Sequence, residues 1–185
     1  MSAQNVDIST SVRGQTAIKL GDFNAAAGYA MSTFGKATGA GTAIRRGYAC
    51  TRVNTVTPNV FTVTTGASAN AVVIAGLPFV TGKLSNINVT GAADGNGEDI
   101  SAEDGDVAFN GITDCDSICV RASGAIQPGQ QVMTAASGRF VAYDGSGVDK
   151  IKGIYIGLPG STKDGAYIPQ AAADGNLIII DFEGV

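Results

Sequence analysis

The second half of the sequence repeats one local pattern, a short apolar or β-branched run followed by a glycine turn. The runs are 107–109, 117–121, 131–134, 139–143, 151–156 and 177–182. Turn signals at 127–129, 144–147 and 174–176 separate several of them. Short strands at this spacing are typical of sandwiches and small barrels. The pattern predicts an all-β fold, mainly β with at most one short helix, arranged as an antiparallel β-sandwich or small β-barrel.

Changes in composition predict three regions along the chain. Residues 1–24 predict an extended N-terminal arm, because the stretch is weakly periodic and termini order only when something ties them down. Residues 25–105 predict a β-rich N-terminal region that ends in an acidic, glycine-rich loop at 91–106. Residues 106–185 predict a small C-terminal β domain.

Within the N-terminal region, the alternating or β-branched runs 60–65, 71–75 and 84–89 predict strands. Asn24 is the predicted N-cap of a short helix that extends to about Phe34. A longer helix is excluded by the glycines that follow, since each interior glycine costs about 1 kcal/mol relative to alanine.

Charge and residue usage exclude several classes of function. The chain has 185 residues, no His and no Trp, and 12 Lys and Arg against 16 Asp and Glu give a net charge of −4. Without His there is no Ser-His-Asp catalysis and no zinc site with His ligands. Scattered basic residues on an acidic chain argue against nucleic acid as a partner. The longest apolar runs fall far short of the ~20 residues that span a bilayer, so no membrane partner is expected.

The positions of the cysteines predict structural residues, and those of the carboxylates predict solvated ones. Neither group predicts a bound metal or cofactor. Cys115 and Cys119 would lie ~13 Å apart on a strand, too far for a disulfide, and with Cys50 they are predicted to be small buried or half-buried residues. An odd cysteine count and a start without signal-peptide character predict synthesis in a reducing cytoplasm. Residues 94–99 resemble the front of a calcium loop, but Gly105 stands where the twelfth-position Glu is required.

Four segments of the C-terminal half resemble the decoration, or cement, proteins of tailed-bacteriophage capsids. They are ASGAIQPGQQV at 122–132, ASGRFV at 136–141, IKGIYIG at 151–157 and AAADGNLIII at 171–180. The resemblance implies a virion structural protein that binds the outer surface of an assembled capsid. It would stabilise that capsid by bridging neighbouring major capsid proteins. It also implies self-association as a dimer or trimer and no catalytic residue.

Basic residues are the candidate capsid contacts. Arg13 and Lys19 lie on the predicted arm, and Arg45, Arg46 and Arg52 form the one basic group that could face an acidic shell. Deleting residues 1–20 is expected to leave the fold intact and to lower occupancy on the shell, because an arm can add a strand to a neighbour's sheet edge.

Two other functions stay open at this stage. A β-sandwich module on a phage surface could bind a receptor or glycan, although the absence of Trp disfavours it. A small hydrolase could use paired carboxylates such as Glu98 and Glu103 of the acidic loop.

Overall fold

The computed structural model describes most of the C-terminal half and parts of the N-terminal half. The described residues are 23–24, 31–38, 44–53, 60–70, 72–76, 100–102, 109–159, 162–163, 166–167 and 169–183. The first 22 residues, the predicted strand at 84–89 and the calcium-like stretch 94–99 lie outside them. Arg13 and Lys19 are therefore also outside the described part of the chain.

The prediction of an all-β fold is confirmed. The strands are β1 (Phe23–Asn24), β2 (Met31–Ala37), β3 (Ile44–Arg45), β4 (Ala49–Val53), β5 (Val60–Val63), β6 (Val72–Ala75), β7 (Ile100–Ala102), β8 (Phe109–Arg121), β9 (Val132–Thr134), β10 (Phe140–Ala142), β11 (Gly153–Gly157), β12 (Thr162–Lys163), β13 (Ala166–Tyr167) and β14 (Leu177–Glu183). The helical element among the described residues is a single 3₁₀ turn at Val148–Lys150. None of their helices is long and apolar enough to cross a bilayer.

The main sheet curls around the long strand β8. Its pairing order is β11-β14-β8-β2-β5-β4-β6, and β6 returns to pair with β8. Gly111 marks the closure, because it pairs with Thr33 of β2 on one side and with Ala75 of β6 on the other. Among the described strands, β2 and β5 form the one parallel pairing. Five strands thus form a small closed ring, and β14 and β11 extend the sheet beyond it.

Both faces of β6 are buried, which explains its continuous apolar sequence, and both faces of β4 are buried at its start, Ala49 and Cys50. Successive side chains of a strand point to opposite faces. Ala49 and Ile74 belong to the larger hydrophobic cluster, whereas Cys50 and Val73 belong to a smaller one with Phe61. The larger cluster continues along β8 and β14 to the β9–β10 hairpin. The core therefore runs without interruption from the N-terminal region to the C-terminal region.

The β9–β10 hairpin turn packs against the N-terminal strands. Ser137 and Gly138 both have positive φ, 58° and 67°, and they are the central residues of a tight turn that the Arg139 N–H closes on the Ala136 carbonyl at 3.4 Å. A side chain at Gly138 would have its Cβ 2.9 Å from the Tyr48 Cβ and 3.0 Å from the Ala49 carbonyl oxygen. The Ala49 N–H donates to the Gly138 carbonyl at 2.8 Å. Only glycine lets the turn lie this close to β4.

A buried threonine ties the same hairpin to the loop after β5. The Thr134 hydroxyl donates to the Gly66 carbonyl at 2.8 Å and accepts from the Ser68 N–H at 3.1 Å. We expect Thr134→Val to lower the free energy of unfolding by about 2 kcal/mol, because two polar groups lose their partner while the shape is kept. Urea unfolding followed by circular dichroism measures it.

The matched control is Thr134→Ser, which keeps the hydroxyl and removes one methyl group. Its expected loss is about 1 kcal/mol. If Thr134→Val were as stable as the unchanged protein, the two hydrogen bonds would contribute nothing to holding the hairpin.

Two local predictions were wrong where tertiary pairing overrode local propensity. Residues Met31–Ala37 form β2 along β8, so the predicted helix through Phe34 does not form there, and Asn24 belongs to β1, which pairs with β8 at Ser117. Within the predicted acidic loop, Ile100–Ala102 form β7, which pairs with β3. The domain boundaries near 24 and 105 stay a prediction, although strands from both sides of residue 105 share the sheet.

Candidate functional site

The three arginines predicted to form a basic group lie in different environments. Arg52 is exposed on β4, and its guanidinium carbon lies 5.8 Å from the ring centroid of Phe61, its cross-strand partner on β5. Arg45 is half-buried with its guanidinium carbon 5.9 Å from the Tyr48 ring centroid. Arg46 is only 8% exposed. Of the three, Arg52 alone is exposed, and its stacking on an aromatic face presets its position.

The capsid-contact role of these residues stays a prediction. The geometry adds that a partner could reach Arg52 directly, whereas Arg46 is covered by this chain itself. Tyr48 is buried as well, so its side chain packs inside the protein.

None of the three cysteines is in a disulfide and all three are buried, which agrees with the prediction of small buried or half-buried residues. Burial raises the pKa of Cys50 far above its ordinary value, because the thiolate would lose its hydration. Such a thiol is a poor nucleophile. Within the described ranges, no three His, Cys, Asp or Glu side chains come together as a metal-binding group.

The segment between β10 and β11 holds the most exposed large apolar side chain of the described residues. Val148 is 79% exposed at the start of the 3₁₀ turn. The preceding turn is fixed by the Asp144 carboxylate, which accepts from the Ser146 N–H at 2.8 Å. Hydrogen bonds to this carboxylate from both the side chain and the backbone of Ser146 lower the pKa of Asp144. Lys150 donates from Nζ to the Ser146 hydroxyl at 3.1 Å.

Below this segment lies a buried lysine. Lys152 is 2% exposed, and its Nζ donates to the backbone carbonyl of Asp149 at 3.0 Å. Burial lowers the pKa of Lys152, and the nearby charge of Asp149 opposes the shift. The ammonium group thus supports the end of the 3₁₀ turn from inside the protein.

Sequence reasoning identified residues 144–147 only as a turn and missed the exposed residue after it. An isolated β-branched residue next to a glycine-rich turn was the one available signal. Strand patterns do not reveal exposure at such a position, because no alternation surrounds it.

Comparison with solved structures finds proteins of similar fold. No protein-family model matches the chain, and neither does the sequence of any curated protein. A crystal structure of the N base of the head fiber protein gp8.5 from bacteriophage phi29 is similar, with a TM-score of 0.50 and 11% sequence identity. The similarity covers 83% of this chain and 95% of that one. At this identity the likeness shows a shared fold: the chain folds like the N base of a phage head fiber protein.

Proposed function

We propose that this protein is a phage virion structural protein that binds the outer surface of the assembled capsid. It stabilises the capsid by bridging neighbouring major capsid proteins, and it associates with itself as a dimer or trimer. The observation that carries the proposal is the fold shared with the N base of a phage head fiber protein over 83% of this chain. The sequence resemblance to capsid decoration proteins, confined to the C-terminal half, points to the same class independently.

Surface chemistry supports the same role. Charged residues make up 15% of the chain against the ~25% that is usual. A neutral surface of small polar residues can pack on another protein with little loss of hydration. Because a capsid offers many equivalent sites and each copy can make several contacts, modest individual contacts suffice for stable attachment.

The proposal assigns the chain no catalytic activity and no cofactor. A chain without His lacks the commonest general base, and the buried, high-pKa thiol of Cys50 is not suited to nucleophilic attack. A glycan-binding role has less support, because the exposed large hydrophobic side chains of the described residues are aliphatic rather than aromatic.

Binding to undecorated shells tests the proposal. Purified protein is mixed with shells prepared from virus that lacks this protein, and bound protein is measured by sedimentation. We expect saturable binding and shells that break at a higher temperature. Free capsid subunits serve as the control and should bind weakly, because they do not present neighbouring subunits together. Absence of binding together with unchanged shell breakage would reject the proposal.

A further inference from the structure

The turn of the β9–β10 hairpin is hydrogen-bonded to two separate segments of the N-terminal region. The Gly138 carbonyl accepts from the Ala49 N–H at 2.8 Å, and the Gly138 N–H donates to the Thr64 carbonyl at 3.1 Å. The Thr64 N–H in turn donates to the Ala49 carbonyl at 2.9 Å. The start of β4, the residue after β5 and the hairpin turn therefore meet in one closed set of backbone hydrogen bonds.

Two threonine side chains add hydrogen bonds across the same junction. The Thr64 hydroxyl donates to the Ala135 carbonyl at 3.2 Å, and Thr134 makes the two bonds to the loop after β5 described above. Thr64 is 2% exposed and Thr134 is fully buried. Water reaches such positions only when the surrounding chain separates, so breaking these bonds is costly while the fold stays closed.

Strand pairing joins the same two regions a second time. β8 follows residue 105 in the chain, yet β1, β2 and β6, which precede that residue, all pair with it. The larger hydrophobic cluster contains Val72 and Ile74 from one side of residue 105 and Phe140 and Ile180 from the other. Opening either region would leave the core of the other uncovered, which favours unfolding as one unit.

We propose that the β9–β10 hairpin is a clasp that holds the N-terminal strands to the C-terminal strands, so that the two open only together. The clasp consists of residues 134–138, and its partners are Ala49 and residues 64–68. The predicted boundary near residue 105 then separates two stretches of sequence rather than two folding units. This arrangement does not depend on what the protein binds, so its test is independent of the proposed function.

The buried cysteines are natural probes of this coupling, because a buried thiol reacts with iodoacetamide when the chain around it opens. Cys50 lies on β4, and Cys119 lies on β8. The full-length protein is labelled under native conditions, and mass spectrometry measures the rate at each cysteine relative to its rate in urea. We expect equal protection at Cys50 and Cys119, because one opening exposes both.

Thr134→Val tests the clasp itself, because it removes two hydrogen bonds and keeps the shape of the side chain. We expect labelling to become about thirtyfold faster at Cys119 and equally at Cys50, which lies in the other region. Thr134→Ser is the milder variant and should speed both by about fivefold. The matched control is Ser137→Asn, at an exposed position of the same turn where asparagine tolerates positive φ. It should leave both rates unchanged.

Equal acceleration at the two cysteines would support the clasp. Unequal protection of Cys50 and Cys119 in the unchanged protein would reveal two units that open independently and would overturn the proposal. Faster labelling of Cys119 alone in Thr134→Val would also overturn it, because the N-terminal strands would then stay closed without the hairpin. If Thr134→Val left both rates unchanged, the hairpin would not join the regions and the proposal would be wrong.

Discussion

Gly153→Ala is expected to lower the free energy of unfolding by about 4 kcal/mol or more. Gly153 begins β11 opposite Phe182 of β14, and its φ is 138°, which side chains rarely adopt. A Cβ there would overlap the backbone carbonyl of Asp181. Backbone strain costs about 1 to 3 kcal/mol and overpacking a similar amount, so the two together give the expected loss. Equilibrium unfolding in urea, followed by circular dichroism, measures it.

Gly175→Ala separates strain from overlap. Gly175 also has positive φ, 79°, but nothing lies within 4 Å of the position that its Cβ would take. Its expected loss is about 1 to 2 kcal/mol, from the left-handed conformation alone. If Gly153→Ala lowered the free energy of unfolding no more than Gly175→Ala, β11 would not approach β14 as closely as described.

Replacing Phe140 or Phe182 should give the second large loss of stability. Both rings are fully buried, and they meet edge to face with centroids 6.4 Å apart and planes at 87°. We expect either change to alanine to lower the free energy of unfolding by about 3 to 5 kcal/mol, since each removes apolar contacts and leaves a cavity. For a chain of this size that corresponds to a melting temperature lower by roughly 6 to 20 °C.

A double-mutant cycle tests whether the rings act as a pair. The coupling free energy should be about 0.5 to 1.5 kcal/mol, the usual range for edge-to-face pairs. Phe182→Leu provides a milder variant if an alanine variant does not fold. Val148→Ala is the matched surface control and should change stability by less than about 0.5 kcal/mol, because its side chain is already in water. If the stability losses of the two single variants simply added in the double variant, the contact between the rings would be contradicted.

These two sites fix the packing around β14. The aromatic pair joins β10 to β14, and Gly153 lets β11 approach β14 closely. The segment that carries Val148 lies between β10 and β11, so both of its ends are anchored in this core. Destabilising the core should therefore loosen this segment as well.

Strands with strong local signals were predicted well. The runs 60–65, 71–75 and 177–182 contain β5, β6 and all but the last residue of β14. Glycine turns bound these runs and β-branched residues fill them, and both signals are local. The burial of the three cysteines outside any disulfide also agrees with the prediction of small buried or half-buried residues.

The long strand β8 shows where local signals were insufficient. Only its ends were recognised, as the separate runs 107–109 and 117–121, because the polar stretch 113–116 interrupts the apolar pattern. Pairing with β2 on one edge and with β6 and β14 on the other makes it one continuous strand. Backbone hydrogen bonds to both neighbours overrode the weak local preference.

Composition and short-range pattern were enough to establish an all-β chain without His-based chemistry, because β-branched runs, glycine turns and residue counts are readable one segment at a time. Closure of the ring at Gly111 arises where segments distant in the chain meet, and the burial of Arg46 and the exposure of Val148 depend on which residues the folded chain covers. A strand pattern says which residues share a face, but which face another segment covers depends on long-range pairing, and that is why these three features emerged only from the folded protein.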